Sequence, residues 1–291
     1  MSAFNNLSTN DTNEFIKESK RLIRFFNKCI FWSFCTGKKK AKKRYLIRKN
    51  ALKNNMYINN YPCDFLDSKK RIAVYTALYG DYDSIKSIKT KNPLCDYYIF
   101  TDQPLPEGCG WKKVDFLFPN NIDDDPVLKN RYLKMHPNVL FPNYEYSIYI
   151  DAVFQIELDI YRLMSRMGNK ILGLFDHHQN VTCIYQEAET IKRIGKASTY
   201  EIDELMSKYK AEGFPKDFGF CECGLIIRKH NEKKCIDIMD LWWKIFLNGP
   251  KRDQLSFMYC VWKNNLQKSD IAYLGATYWD EPIFSSERHK K

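Results

Sequence analysis

The segment that most constrains the fold is a short apolar run that ends at a single acid. Residues 146–150 are Tyr-Ser-Ile-Tyr-Ile, and Asp151 follows them directly. This composition and length predict a buried strand. An acid placed just after such a strand would lie at the carboxyl edge of the sheet, where open α/β sheets bind ligands. Asp residues also cap helices and turns, so Asp151 alone leaves both interpretations open.

Strand-like and helix-like patterns alternate through residues 64–291. The predicted strands cover residues 72–78, 97–101, 111–116, 146–150, 171–175 and 219–228. The predicted helices cover residues 126–136, 158–167, 190–211, 232–247 and 254–263. The alternation predicts a single α/β domain whose mainly parallel, Rossmann-like mixed sheet is covered by helices on both faces.

Charge divides the chain into two parts. The chain holds 46 Lys and Arg against 35 Asp and Glu, a net charge of +11, and residues 1–63 contribute 14 of these bases but 3 of the acids. Residues 64–291 are therefore balanced, which argues against a nucleic-acid partner because such partners usually need a basic face. We predict a basic amphipathic N-terminal extension over residues 1–63 and a folded domain over residues 64–291.

The extension has the pattern of a membrane-surface helix. Basic residues recur at helical spacing over residues 17–28, apolar residues recur on another face over residues 15–30, and residues 38–44 are polybasic. Because this combination suits anionic lipid surfaces, we predict that residues 15–48 bind one. The apolar stretch Ile30–Phe34 is too short to span a bilayer, which needs about 20 apolar residues. A solvated tail with a short helix packed on the domain is the alternative.

Cysteine usage and the N-terminal sequence bear on the compartment. The ten cysteines are scattered, and Cys221 and Cys223 form a C-x-C pair that is a poor zinc motif. No apolar segment followed by a small-residue cleavage site is visible near the N-terminus. These features predict buried free thiols in a reducing compartment, and hence a cytoplasmic protein that is peripheral at the membrane.

Several short motifs follow one another over residues 71–263. They include Tyr75-Thr76-Ala77-Leu78-Tyr79-Gly80-Asp81, Arg131-x-x-Lys134-x-x-Pro137, residues 144–151, Cys183-Ile184-Tyr185-x-Glu187-Ala188, Glu222-x-Gly224-Leu225 and Arg252-Asp253-Gln254-Leu255-Ser256-Phe257. In order and spacing they resemble a glycosyltransferase-like domain family formerly catalogued as a domain of unknown function. Its bacterial and plant members are linked to cell-wall polysaccharide. The resemblance implies a nucleotide-diphospho-sugar transferase fold of the GT-A type.

The resemblance also implies where a nucleotide sugar would bind. In GT-A-like proteins the first strand and its turn hold the nucleoside, which implies Thr76 and Tyr79 as contacts, with Asp102 after the second strand. Arg131 and Lys134 lie three residues apart on one helix face, where they would offer cations to a diphosphate. An ordinary packed aromatic is the alternative for Tyr79, and a solvated pair or a salt bridge is the alternative for the two cations.

A metal site is implied at the end of the central strand. Asp151 would contact the donor and hold Mn²⁺ or Mg²⁺, which favour carboxylates and substrate phosphates. The D-x-D motif of such sites is incomplete, because position 153 is Val. His178 is the candidate second ligand, and a structural or merely exposed histidine is the alternative.

The late motif supplies the candidate catalytic residues. Asp253-Gln254 resembles the Asp-Gln pair of family 8 glycosyltransferases such as glycogenin. Asp253 would orient sugar hydroxyls or stabilise positive charge on the sugar, and Gln254 would hold the sugar by hydrogen bonds. Glu222 is a further candidate, as a base for the acceptor hydroxyl. Helix capping is the alternative for Asp253.

These features predict a hexosyl- or related glycosyltransferase. It would move a sugar from a nucleotide-diphosphate donor to a hydroxyl of a glycan or glycolipid acceptor at a membrane surface. One alternative is a metal-assisted hydrolase of a lipid or sugar substrate, built on Asp151 and His178. Another is a non-catalytic membrane-associated adaptor that has lost the complete D-x-D motif. Fold alone does not decide between them, because function resides in the site.

Overall fold

The computed structural model describes residues 71–120, 122, 124–177 and 181–286. The predicted extension over residues 1–63 and the candidate ligand His178 lie outside these residues. The strands are β1 (Ile72–Leu78), β2 (Cys95–Thr101), β3 (Lys112–Lys113), β4 (Tyr146–Ile150), β5 (Phe154–Ile156), β6 (Leu172–Asp176), β7 (Cys221–Arg228), β8 (Ile271–Tyr273) and β9 (Phe284–Ser286). The α-helices are α1 (Pro126–Met135), α2 (Pro137–Leu140), α3 (Ile184–Arg193), α4 (Thr199–Ala211), α5 (Lys233–Asn248) and α6 (Phe257–Lys263).

Seven strands form the main sheet, in the order β3-β2-β1-β4-β7-β6-β8. Pairing is parallel between β1 and β2, β1 and β4, β2 and β3, and β6 and β8, whereas β7 runs antiparallel to both β4 and β6. One reversed strand among seven confirms the predicted mainly parallel, mixed α/β sheet. A second sheet pairs β5 with β9.

Both faces of the main sheet are covered. On one face, residues such as Tyr75, Tyr149 and Ile226 pack in clusters that include side chains of α1, α3, α4, α5 and α6. On the other face, Ile72, Val74 and Ile148 belong to a cluster with the 3₁₀ helix Ile160–Arg166 and the small β5–β9 sheet. All seven residues of β1 are buried, as expected for a strand covered on both faces.

Most predicted elements are present, and four of them differ in a way that has a local cause. The predicted strand over residues 111–116 shortens to the two-residue edge strand β3, whose two lysines suit an edge. The predicted helix over residues 190–211 is two helices, separated at Gly195, whose φ of +65° breaks the helix. The segment near residues 158–167 is 3₁₀ rather than α. The last predicted helix begins as the 3₁₀ turn Asp253–Leu255 before α6.

The described cysteines agree with the expectation of buried free thiols. Seven cysteines are free and buried, namely Cys95, Cys109, Cys183, Cys221, Cys223, Cys235 and Cys260. Burial raises the pKa of the Cys95, Cys221 and Cys235 thiols to about 12. Among the described helices, none combines the length and the apolar character needed to cross a bilayer.

Candidate active site

Asp151 lies at the carboxyl end of β4. Its backbone N–H donates to the carbonyl of Gly224 at 2.7 Å, which continues the antiparallel pairing of β4 with β7. The hydroxyl of Tyr149, two residues earlier on the same side of the strand, donates to Asp151 Oδ1 at 2.9 Å. The Asp151 side chain is 34% exposed. Asp151 is therefore oriented by the protein and remains reachable from solvent.

Helix α1 brings polar side chains to the same place. Asp125 caps its first turn by accepting from the N–H of Val127 at 2.7 Å, and Pro126 begins the helix. Asn130 donates to the carbonyl of Ala77 in β1 at 2.6 Å, which fixes the helix against the strand end. Lys134, four residues later, then faces the carboxylates beyond β4.

One lysine connects the two acids that the sequence singled out. Lys134 Nζ lies 2.7 Å from Asp253 Oδ2 and 3.9 Å from Asp151 Oδ1. Arg131 Nε lies 3.1 Å from Asp253 Oδ2. We call these four residues the ion cluster. The salt-bridge alternative for Arg131 and Lys134 is thus present, and it is made with a predicted catalytic residue.

Electrostatics keep Asp253 ionised. Burial alone would raise the pKa of its carboxyl, but Arg131 and Lys134 together hold that pKa well below its usual range. Burial works against the charge of Arg131 as well, yet Asp253, Tyr149 and Asp151 raise the pKa of this guanidinium. Lys134 is only 2% exposed in its side chain, whereas Arg131 is 24% exposed. Of the two cations, Arg131 is the one that a ligand could contact directly.

The capping alternative for Asp253 is wrong. Its side chain accepts from Lys134, and the helix that follows is preceded by Ser256, which makes no side-chain cap. The backbone carbonyl of Asp253 accepts from the indole of Trp242 at 2.7 Å and from the Ser256 hydroxyl at 3.1 Å. Gln254 lies next in the 3₁₀ turn and is partly exposed.

Glu222 has a different environment from the one a general base needs. It is 1% exposed on β7. Its carboxylate accepts from the Thr277 hydroxyl at 3.0 and 3.2 Å and from the backbone N–H of Tyr278 at 3.2 Å. It therefore anchors the loop that carries Tyr278. The base role stays a prediction, and the observed contacts are those of a loop anchor.

The predicted nucleoside contacts lie along β1 and β2. Thr76 is 3% exposed in β1, and its hydroxyl has no hydrogen-bond partner in the described part of the chain. The ring of Tyr79 meets Phe118 edge-on at 5.8 Å, and burial and the nearby Asp102 raise its pKa to about 12. Asp102 accepts from the N–H of Gly80 at 2.9 Å and so holds the turn after β1.

The strand register places Asp102 and Asp151 at the same edge of the sheet. Leu78 pairs with Thr101, and Tyr75 pairs with Tyr149, so Asp102 and Asp151 flank the end of β1 on opposite sides. With strands about 4.8 Å apart and a rise of about 3.3 Å per residue, their Cα atoms lie about 12 Å apart. The two acids therefore lie near each other at one edge of the sheet.

Of the two predicted metal ligands, the structure describes Asp151. No group of three His, Cys, Asp or Glu side chains that could hold a metal is found among them. His177 is buried against Phe220, with ring centroids 5.3 Å apart. The Tyr149 hydroxyl donates to Oδ1 of Asp151 rather than to Oδ2. A single carboxylate fits Mg²⁺ or Mn²⁺ if substrate phosphates and water complete the shell. The metal site stays a prediction, and among the described residues it rests on Asp151.

Two large cavities lie away from this site. One, of about 970 Å³, is lined by residues around Arg71, Tyr97 and Trp111 near the amino end of β2. The other, of about 1110 Å³, lies between α4, α5 and α6. None of the predicted site residues lines either cavity. The candidate site is instead the open carboxyl edge of the sheet around Asp151.

Sequence reasoning did not single out three polar residues at this edge. Tyr149 could have been found, because it lies two residues before Asp151 and so on the same face of the strand. Asn130 adjoins Arg131, and its side chain both bonds Ala77 and accepts from the Arg131 guanidinium. Tyr278 carries no local signal, because only the fold brings it beside Asp151.

Comparisons with known proteins agree with the motif resemblance. The model of the TOD1/MUCI70 glycosyltransferase-like domain matches residues 111–278. The chain is 25% identical over 226 residues to the probable hexosyltransferase MUCI70 of Arabidopsis thaliana, an alignment that covers 67% of this chain and 38% of that protein. The chain thus spans less than half the length of this relative.

Two solved structures show a looser likeness. The apo structure of the bifunctional glycosyltransferase WbbM aligns with a TM-score of 0.42 at 11% identity, covering 74% of this chain and 40% of that one. Mouse xyloside xylosyltransferase 1, also in apo form, aligns with a TM-score of 0.33 at 8% identity, covering 71% and 78%. At such scores neither adds to the argument about the site. The domain match covers more than half of the chain, so the protein belongs to the TOD1/MUCI70 glycosyltransferase-like domain family.

Proposed function

We propose that the protein is a glycosyltransferase that moves a hexosyl or related sugar from a nucleotide-diphosphate donor to a hydroxyl of a glycan or glycolipid. The observation that carries the proposal is the ion cluster of Arg131, Lys134, Asp151 and Asp253 at the carboxyl edge of the sheet. Membership of a glycosyltransferase-like family supports it. The named hexosyltransferase relative supports the class of sugar.

The charges of the cluster suit an anionic donor and a cationic transition state. Arg131 and Lys134 balance Asp151 and Asp253, so the cluster is neutral before a ligand arrives. A diphosphate entering beside Asp151 would bring negative charge close to the partly exposed guanidinium of Arg131, whose remaining N–H groups suit phosphate oxygens. Lys134, being buried, would act by fixing the two carboxylates in place. Preorganised charges of this kind stabilise a departing diphosphate without reorganisation.

A divalent metal fits the proposal but has only one described protein ligand. Asp151 would hold it together with donor phosphates and water. When bound, Mn²⁺ or Mg²⁺ would supply Lewis-acid stabilisation of the leaving diphosphate.

Asp253 would act on the sugar as a fixed negative charge. Its carboxylate stays ionised because two cations flank it. In a transition state with positive charge on the sugar ring, such a carboxylate is more favourable than in the ground state. Gln254, the next residue of the turn, would hold the sugar by hydrogen bonds.

We further propose that the protein works as a peripheral protein on the cytoplasmic side of a membrane, through residues 15–48. The support is the basic amphipathic pattern of these residues and the concentration of all excess charge in residues 1–63. Each basic side chain near an anionic surface contributes about 1 kcal/mol. A glycolipid acceptor would then be met at the same surface.

A thermal-shift screen tests the donor part of the proposal. UDP-, GDP- and ADP-sugars are added to the full chain with and without Mn²⁺, and the corresponding nucleoside diphosphates serve as controls. Stabilisation by one donor identifies its base and its sugar, because a ligand that binds only the folded state raises the melting temperature. Asp151→Asn is the matched variant, and it should lose any Mn²⁺-dependent part of the shift. If no donor stabilises the chain in either condition, the proposed function is wrong.

A further inference from the structure

Gly224 in β7 lets a tyrosine hydroxyl approach the sheet beside Asp151. A Cβ at this position would lie 2.7 Å from the hydroxyl oxygen of Tyr278 and 3.0 Å from Asp151 Oδ2. Both distances are too short for a real side chain. The hydroxyl and the carboxylate oxygen therefore occupy the space next to one glycine, and any larger residue there would displace one of them.

The position of Tyr278 is fixed from several sides. Glu222 accepts from its backbone N–H, and the neighbouring Thr277 donates to the same carboxylate. Its ring meets Phe154 at 4.8 Å and Phe175 at 5.9 Å, both at steep angles. With the ring and the backbone held, the hydroxyl is directed at the Asp151 side of Gly224 rather than free to turn away.

The two oxygens have opposite hydrogen-bonding roles. The phenol of Tyr278 carries one O–H that can donate a hydrogen bond. The Asp151 carboxylate only accepts, and its Oδ1 is already engaged by Tyr149. An alcohol is both a donor and an acceptor, so one hydroxyl can satisfy the phenol and the carboxylate at once.

We infer that Tyr278 and Asp151 Oδ2 together bind one hydroxyl of the transferred sugar, with Tyr278 as a specificity-determining residue and Gly224 as the reason it fits. The inference rests on the proposed function and adds to it a sugar-facing residue that lies outside the late Asp253-Gln254 motif. Sites that hydrogen-bond a substrate hydroxyl discriminate strongly against analogues that lack it, because their polar groups are then left unpaired. The pair would therefore select the sugar rather than the nucleotide.

Calorimetric binding to the full chain tests this inference. The probes are the donor that stabilises the wild type in the nucleotide-sugar screen and the matching nucleoside diphosphate without sugar. Tyr278→Phe keeps the packed ring and removes only the hydroxyl, and should weaken the nucleotide sugar about fivefold to tenfold, as expected for one lost hydrogen bond. Its affinity for the nucleoside diphosphate should equal that of the wild type.

Tyr209→Phe is the matched control. Tyr209 is fully buried, stacks on Tyr259, and has a hydroxyl without a hydrogen-bond partner in the described structure. Loss of the Tyr209 hydroxyl should leave the affinities for the nucleotide sugar and for the nucleoside diphosphate unchanged. Gly224→Ala provides a second variant if Tyr278→Phe is poorly folded. Because the new methyl displaces the Tyr278 hydroxyl or Asp151 Oδ2, it should weaken binding of the nucleotide sugar at least as much as Tyr278→Phe does.

The possible outcomes separate the inference from the function beneath it. Unchanged binding of the nucleotide sugar to Tyr278→Phe, or equal loss for the sugar and the sugar-free probe, overturns the role of Tyr278 while the transferase proposal stands. A wild-type chain that binds no nucleotide sugar overturns both.

Discussion

Replacing Asp253 with Asn tests whether the ion cluster holds the fold as well as the site. Asn keeps the shape of the side chain and an acceptor for Lys134 Nζ, which lies 2.7 Å away, but it removes the negative charge facing two cations. Removing one partner of a buried ion pair costs about 3–5 kcal/mol. The lower end applies here, because Lys134 retains Asp151 at 3.9 Å.

This cost has a measurable thermal consequence. A loss of about 3 kcal/mol corresponds to a fall in melting temperature of about 6–12 °C for a domain of this size. Urea unfolding at neutral pH gives the free energy directly. Asp203→Asn is the matched control, because Asp203 pairs with Lys192 on the surface, where ion pairs contribute little. The melting temperature of Asp203→Asn should equal that of the wild type.

The lowered pKa of Asp253 makes the difference in unfolding free energy between wild type and Asp253→Asn depend on pH. An unfolded Asp titrates near 3.9, as a rough reference value. Because the folded pKa lies below that, the folded state binds fewer protons, and the stabilisation is fully present above about pH 4. It is lost as the pH falls further. The difference in unfolding free energy between wild type and Asp253→Asn should therefore become smaller below about pH 4. An equal melting temperature at neutral pH would refute the reasoning.

Three other predictions concern separate parts of the molecule. Asp151→Asn should lower turnover on the order of 10²-fold or more, the usual effect of lost electrostatic stabilisation, while the melting temperature changes little because the side chain is a third exposed; steady-state kinetics on a folded variant check this. Burial lowers the pKa of His230 to about 4, so unfolding free energies measured by urea should fall from pH 6.5 towards pH 4 as unfolded histidine gains protons first, and less so in His230→Gln. Deleting residues 1–55 should leave donor binding intact but abolish sedimentation with anionic liposomes at low salt; a full-length chain that ignores them contradicts the membrane proposal.

The elements that position Asp151 could be predicted because their signals are local. A short apolar run defines β4, and Asp125-Pro126 marks the start of α1 within two residues. The rule that parallel strands present their carboxyl ends at one edge then places Asp102 and Asp151 together. Each of these steps uses neighbours in sequence or a general property of the sheet. The reversed direction of β7 has no such signal, because it depends on pairing with strands distant in sequence.

The partners within the site could not be predicted for the same physical reason. Lys134 and Asp253 are 119 residues apart in the chain, and nothing near either residue indicates the other. The sequence therefore leaves open whether Arg131 and Lys134 meet a diphosphate or an acid. Glu222 is a similar case, since it accepts from Thr277 and Tyr278, which lie more than fifty residues later. A carboxylate in a motif is a candidate base until the fold shows what donates to it.

The electrostatic state of Asp253 restricts the chemistry it can perform. A general base works best when its pKa lies near the operating pH. Asp253 is held well below even the usual carboxylate range, so it is a weak base and stays charged. A permanently charged carboxylate is suited to stabilising positive charge, which is what a sugar ring gains as its bond to the diphosphate breaks. Glu222 is buried and occupied by Thr277 and Tyr278. The base role of Glu222 stays a prediction. Under the proposed function, the oxygens of the leaving diphosphate are a second candidate to accept the proton of the acceptor hydroxyl.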